Sequence, residues 1–369
     1  MIIKTITCQK VNNHGATLQA YALMHYLESL GHDVEIIDYI PERFKHFRPF
    51  VCSTEKYAKN IILKTAYICA KFPSRFVGYL KYKNSLRKTN FDNFWNKYYH
   101  LTKCYKTFDE LKNNPPEADL YIAGSDQIWN TMMENGKDPA YYLQFVKNGI
   151  RATYAASFSV SEIPDELKNQ TKTFIESIDY VSVREKSALK ILDDLGIKDA
   201  CVVLDPVFLL SREEWDFVES KMEFDDKYIL VYDFENSDSV KSFSLQYAKE
   251  NKVKIYSLYN SDYCDKCFED YGPDVFLSLI KNADFVVSNS FHATAFSVIY
   301  KKQFAVIERE EGINSRMVDL LDELGIEGHI VTKYRLMNKI DYYSVNEKKD
   351  KVVESSKEYL LKLLENVKK

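Results

Sequence analysis

Asp284-Phe-Val-Val-Ser-Asn-Ser290-Phe-His292-Ala-Thr294-Ala-Phe-Ser-Val-Ile-Tyr-Lys-Lys-Gln-Phe304 decides how the chain is read. Phe285 to Val287 form a short apolar run, and Ser288, Asn289 and Ser290 are polar. Ala295, Phe296, Val298 and Ile299 then recur at the spacing of one helix face. The pattern predicts strand, turn and helix, with the helix opening just before His292, because each of the three polar residues is a good N-cap. An imidazole, hydroxyls such as Ser290 and Thr294, and free backbone N–H groups are thereby gathered at the positive end of a helix, which attracts anions. Bound phosphate and a protonated His292 would reinforce each other. The plain alternative is a histidine that only caps its own helix.

The same strand-to-helix rhythm runs outward on both sides. Residues 2–7 read as a strand, Cys8 to Gly15 as a polar loop and Ala16 to Leu30 as a helix ended by Gly31, with Val34 to Ile37 as the next strand. A βαβ opening of this kind predicts a parallel sheet. Ligands of such sheets sit at the carboxyl ends of the strands, which singles out Asn13 and His14. Asp119 to Ala123 leads in the same way into Gly124-Ser125-Asp126-Gln127, where Asp126 can accept hydrogen bonds from sugar hydroxyls or simply cap its turn. Val181 to Val183 ends at Arg184, whose fork suits carboxylate or phosphate, or else an ion pair with a neighbouring acid. Asp205-Pro206 marks a turn, after which a second α/β set begins. In that set Asn314-Ser315-Arg316 opens a helix through Leu324, and Arg316 shares a side with His292 if the two turns are neighbours. We therefore expect an α/β protein of two Rossmann-like, doubly wound domains with a cleft between them. They span 1–208 and 209–345, and a C-terminal helix within 346–369 packs back across the junction.

The 369 residues suit two cores. No apolar run is long enough to span a membrane, and the start of the chain lacks a signal-peptide layout. Cys264 and Cys267 form one C-x-x-C without a second pair or a nearby histidine, so reduced thiols are expected rather than zinc. Neither G-x-G-x-x-G nor a P-loop is present. The net charge of −4 conceals a basic segment, 43–106, with fifteen Lys or Arg against two acids, Glu55 and Asp92. It also carries fifteen aromatic residues, and we read it as a helical insertion suited to an anionic membrane surface. The same charge would draw nucleic acid, but no nucleic-acid fold motif is present.

Four motifs in order resemble the polysaccharide pyruvyl transferase family: Asn13-His-Gly15-Ala16-Thr-Leu-Gln19-Ala20-Tyr21, Gly124-Ser-Asp126-Gln-Ile-Trp129-Asn130, Ser182-Val-Arg184-Glu185 with Asp205-Pro206, and Ser290-Phe-His292-Ala-Thr294. The resemblance implies a GT-B-like pair of domains and transfer of a pyruvyl group from phosphoenolpyruvate to a sugar, with phosphoenolpyruvate as co-substrate and no further cofactor or metal. It implies His292 as general acid and Arg184 and Arg316 as donor-binding positions, joined by Ser290 and Thr294. Asn13, His14 and Asp126 are left for the acceptor. The residue after the histidine, commonly glycine in the family, is Ala293, which a right-handed first helical turn accommodates. The acceptor is expected to be a sugar of a cell-surface polysaccharide or of its polyprenyl-pyrophosphate-linked precursor, and the location cytoplasmic with peripheral contact at the inner face of the membrane. Two other readings are a GT-B nucleotide-sugar glycosyltransferase and a non-catalytic module binding anionic surfaces.

Overall fold

A computed structural model describes residues 1–41, 61–308, 315–335 and 337–367. The first half runs β1 (Ile2–Ile6), α1 (His14–Ser29), β2 (Asp33–Ile36), α2 (Ile61–Lys83), α3 (Leu86–Tyr98), α4 (Phe108–Asn113) and β3 (Leu120–Ala123). It continues through β4 (Ile150–Thr153), α5 (Asp165–Ile175), β5 (Val181–Val183), α6 (Lys186–Asp194) and β6 (Ala200–Val202). The second half runs α7 (Arg212–Val218), β7 (Tyr228–Tyr232), α8 (Asp238–Asn251), β8 (Lys254–Ser257), β9 (Lys266–Cys267) and α9 (Pro273–Asn282). After these come β10 (Phe285–Ser288), α10 (Phe291–Ile299), β11 (Phe304–Ile307), α11 (Ser315–Leu324), β12 (Ile330–Val331) and α12 (Tyr342–Val367).

The strands form two parallel sheets, as the alternating pattern predicts. The first has the order β2-β1-β3-β4 and is prolonged toward the β5-β6 pair by parallel bridges between Ala152 and Tyr180 and between Ala156 and Val183. The second has the order β12-β11-β10-β7-β8-β9. Both faces of each sheet are covered, and the strand alternation shows it. Leu120 and Ile122 join the same central core as Leu230 and Tyr232, whereas Tyr121 and Ala123 pack into a second core and Ile229 and Val231 into a third. Successive side chains of a strand point to opposite faces, so an apolar strand of this kind needs helices on both sides.

α12 ties the halves together. Tyr342 Oη donates to the Ser297 carbonyl at 3.2 Å, while Tyr359 Oη donates to the Thr153 carbonyl at 3.0 Å and Ser356 Oγ accepts the Leu204 N–H at 3.0 Å. The helix begins earlier than the predicted 350 because Asp341 Oδ1 accepts the Tyr343 N–H at its start.

The basic segment 43–106 is not one insertion. Residues 43–60 lie outside the described residues. Residues 86–106 belong to the first half: Phe91, Phe94, Trp95 and Tyr99 are buried in the central core. Trp95 Nε1 donates to Thr17 Oγ1 at 3.3 Å and Tyr99 Oη to the Thr17 carbonyl at 2.7 Å. Leu101 and Tyr105 bridge to Ile36 and Tyr39. The spacing of Phe91, Phe94, Trp95 and Tyr98 is that of a buried helix face, and the basic residues between them occupy the outer side. Arg87 is a pin rather than a surface charge, since it donates to the carbonyls of Glu269 and Asn12 at 2.5 and 2.8 Å. Lys88 pairs with Asp92 one turn on.

Candidate active site

A cleft of about 310 Å³ lies between the halves. Every segment lining it follows the carboxyl end of a strand, where ligands of parallel sheets bind. Val11 and Asn13 follow β1, Asp126 and Gln127 follow β3, and Phe234 follows β7; Ser290 and His292 follow β10, and Arg316 and Met317 open the helix after β11. β10 and β11 are adjacent in the sheet, which brings His292 and Arg316 into one wall. Asn13 and Asp126 stand in the opposite wall.

Local chemistry fixes each wall. Ser290 caps α10, its Oγ accepting the Ala293 N–H at 3.5 Å, and Ala293 sits in an ordinary helical turn with its methyl fully buried. Asn13 caps α1 through its Oδ1, which accepts the Ala16 N–H at 3.0 Å. Asp126 has φ +71°, a left-handed conformation that aspartate tolerates; its carbonyl accepts N–H groups from Ile128 and Ser157.

The His292 ring is wedged. A Cβ on Gly15 would lie 2.0 Å from Nδ1, so α1 presents bare backbone to one edge of the ring. On the other edge, Nε2 lies 3.6 Å from Asp205 Oδ2, an ion-pair distance beyond hydrogen-bond length, and has no hydrogen-bond partner among the described residues. Asp205 is the hub beneath. Its Oδ2 accepts from Arg184 Nη1 at 2.6 Å and from Ser125 Oγ at 2.9 Å, and its Oδ1 accepts the Val207 N–H at 3.1 Å. Burial alone would raise the Asp205 pKa. The adjacent His292 ring and the Arg184 guanidinium outweigh it and hold the carboxyl well below the ordinary range.

The sequence-selected residues divide accordingly. His292, Arg316, Ser290, Asn13 and Asp126 meet in the cleft. Arg184 does not line it: the guanidinium lies behind Phe291, 4.7 Å from that ring, bound to Asp205. The acid partner weighed for it in the sequence is thus real. Thr294 does not line it either, because its hydroxyl donates to the Ser290 carbonyl one turn back. His14 is wholly buried, packed against Phe91 and Phe276, with Nε2 3.2 Å from the Tyr271 carbonyl and Nδ1 3.3 Å from Tyr232 Oη. Burial first, and then Arg87, pull its pKa down to about 3. His14 therefore joins the halves as a neutral pin and offers nothing to an acceptor.

Two residues of the site were passed over as chemistry in the sequence. Asp205 reads as a turn residue, although its position just after β6 was a usable signal. Gly15 reads only as part of a motif, because nothing in its own neighbourhood announces an imidazole from the other half. Among the described residues no group of three or more His, Cys, Asp or Glu could hold a metal ion, and no helix is long and apolar enough to cross a membrane.

Two parallel-sheet halves, with a histidine and an arginine facing polar loops across a cleft, define a transferase-like α/β architecture. The model of the polysaccharide pyruvyl transferase family matches residues 13–311, and the chain belongs to that family. It is therefore an enzyme of the polysaccharide pyruvyl transferase class. A comparison with curated proteins returned no match. Among solved structures, UGT89C1 from Arabidopsis thaliana complexed with UDP-L-rhamnose aligns with 10% identity over 99% of this chain and 98% of its own, at a TM-score of 0.49. A UDP-N-acetylglucosamine 2-epimerase of Listeria monocytogenes, described as provisional, aligns with 9% identity over 97% and 89% at 0.48.

Proposed function

We propose that the chain moves the pyruvyl group of phosphoenolpyruvate onto a sugar of a cell-surface polysaccharide, or of its polyprenyl-pyrophosphate-linked precursor, closing a cyclic ketal and releasing phosphate. Residues 1–208 and 209–345 are the two domains that supply the cleft, with 346–369 joining them. The observation that carries the reading is the meeting of His292 and Arg316, from adjacent turns of one sheet, with Asn13 and Asp126 of the other.

Arg316 and the start of α10 receive the donor's negative charge. His292, in its imidazolium form and with the Asp205 carboxylate 3.6 Å from Nε2, gives a proton to C3 of the enol, which becomes a methyl group and leaves C2 electrophilic. A sugar hydroxyl forms the new bond to C2 and yields its proton to the neutral imidazole. That proton then goes to the bridging oxygen as the C2–O bond to phosphate breaks and phosphate departs. A second hydroxyl attacks C2, loses its proton to solvent and closes the ketal. Asn13 and Asp126 face the sugar, where a neutral amide and a carboxylate can bind hydroxyls. The reaction so written needs no cofactor or metal beyond phosphoenolpyruvate. An acceptor with a lipid tail places the enzyme in the cytoplasm, in peripheral contact with the anionic inner face of the membrane.

A donor screen tests the reading. Phosphate release from phosphoenolpyruvate, together with a pyruvylated glycan in the mass spectrum, is the expected result. Consumption of a UDP-sugar without use of phosphoenolpyruvate would make the chain a nucleotide-sugar glycosyltransferase instead.

A further inference from the structure

Helix α2 leaves an apolar stripe in solvent. A surface helix ordinarily directs its apolar stripe toward the protein and its charges toward water. Cys69, Pro73, Phe76 and Leu80 follow one another at helical spacing, with Val77 beside them, and this stripe faces solvent. Phe76 and Leu80 are each 40% exposed and Val77 is 54% exposed. The more covered side carries Tyr67, Ile68, Phe72, Arg75 and Tyr79, all only half-buried. No side chain of the helix is buried among those described.

The charge pattern selects the occupant of that stripe. Residues 61–83 contain Lys64, Lys71, Arg75, Lys81 and Lys83 and no acid. Lys81 and Lys83 are exposed beside the stripe, and Lys71 is exposed on the opposite side of the helix. Two copies of such a helix would repel each other, so a second copy of this chain is the poorer partner. An anionic bilayer answers both features, since its headgroups attract the cations and its acyl boundary accepts the apolar side chains. The helix does not meet the length and apolarity needed to span, so the contact is interfacial.

We propose that α2 lies in the surface of an anionic membrane through Phe76, Val77 and Leu80, with Lys81 and Lys83 against the headgroups. The contact deepens the reading of a lipid-linked acceptor and rests on that reading for its purpose. It is measured without any substrate, so the two fail separately.

The full chain is sedimented with vesicles of phosphatidylcholine alone or mixed with phosphatidylglycerol, at low and high salt. The parent should pellet with the anionic vesicles only, and less as salt rises. F76S/V77S/L80S and K81E/K83E should each weaken binding at least about tenfold. Their thermal transitions should match the parent's, because none of the five side chains is buried. Absence of binding by the parent at low salt would overturn the proposal, as would unchanged binding by both variants. It would also fall if light scattering showed a dimer that the serine variant dissolves, because the stripe would then be an interface between copies.

Discussion

His14 and His292 occupy the same kind of place. Each stands in the first turn of a helix that follows a parallel strand, one residue beyond an N-cap in the first case and two in the second. The surroundings make them opposites. His14 is closed off by aromatic rings and by Arg87, so burial keeps its imidazole neutral. His292 has a buried carboxylate 3.6 Å from Nε2 and an opening to the cleft, so its ring stands where a substrate can reach it. The two are also coupled across the junction. α1, which His14 opens, also carries Gly15, against which the His292 ring rests. Position in a strand–turn–helix pattern nominates a histidine, and the charge placed beside it decides what that histidine does.

The sharpest break would come from His292→Gln. It removes the proton donor and keeps comparable volume, so turnover should fall by about 10² to 10⁴-fold while the fold persists. Near-normal turnover, with an unchanged circular dichroism spectrum, would reduce His292 to a second structural histidine and erase the contrast.

Arg184 and Arg316 sharpen the same contrast between a pin and a working group. Arg184→Ala leaves Asp205 buried with one cation fewer, and breaking such a pair costs about 3–5 kcal/mol of stability. Arg316→Ala should cost about 2–4 kcal/mol in kcat/KM for phosphoenolpyruvate. Denaturant titration and donor kinetics on both variants separate the outcomes. If Arg184→Ala were stable and defective only in donor binding, Arg184 would be a ligand for the donor after all.

The architecture was largely legible because apolar strands alternating with helical spacing leave little choice but parallel sheets. The strand at 228–232 and the helix at 273–282 fall where the pattern predicts them. The cleft was legible in outline, since strand ends and N-caps are local signals. Depth was not legible. Arg184, Thr294 and His14 all lie at the right ends of the right elements, and only the packing of one half on the other shows that they are covered. Composition misled at 86–106 for a related reason: a helix with aromatics on one side and lysines on the other has the same composition whether it seals a core or coats a membrane. The spacing of Phe91, Phe94 and Trp95 held the answer.

Gly15 tests the coupling itself. Gly15→Ala suits α1 locally, because alanine is the better helix former by about 1 kcal/mol. Its methyl would nevertheless fall on the His292 ring, so the imidazole must shift. A displacement of that order can cost about 10²-fold in turnover. The expected result is a protein at least as helical as the parent, with kcat reduced and its pH profile altered. Full activity would mean that the ring is not held by α1.

The smallest effect belongs to His14, and it appears in stability rather than in rate. In the folded chain His14 takes up a proton only near pH 3, whereas in the unfolded chain it does so near the ordinary value of 6.5. As pH falls below about 6.5 the unfolded state binds the extra proton and the folded state does not. Stability should therefore decline toward pH 3, at about 1.4 kcal/mol per pH unit for this one group. Asp205 works in the same direction but at lower pH, because its folded pKa lies below that of the unfolded chain, 3.8, and its contribution is lost only as pH falls through the folded value. The interval between about 6 and 4.5 thus reports on His14 with Asp205 silent. His14→Gln supplies an amide N–H for the Tyr271 carbonyl and an oxygen for the Tyr232 hydroxyl, and it does not titrate. Urea unfolding across that interval should show a shallower acid slope for the variant, by up to one proton's worth, whatever the variant has lost at neutral pH. Parallel slopes for parent and variant would show that His14 is protonated in the folded chain, and the two histidines would then no longer be opposites.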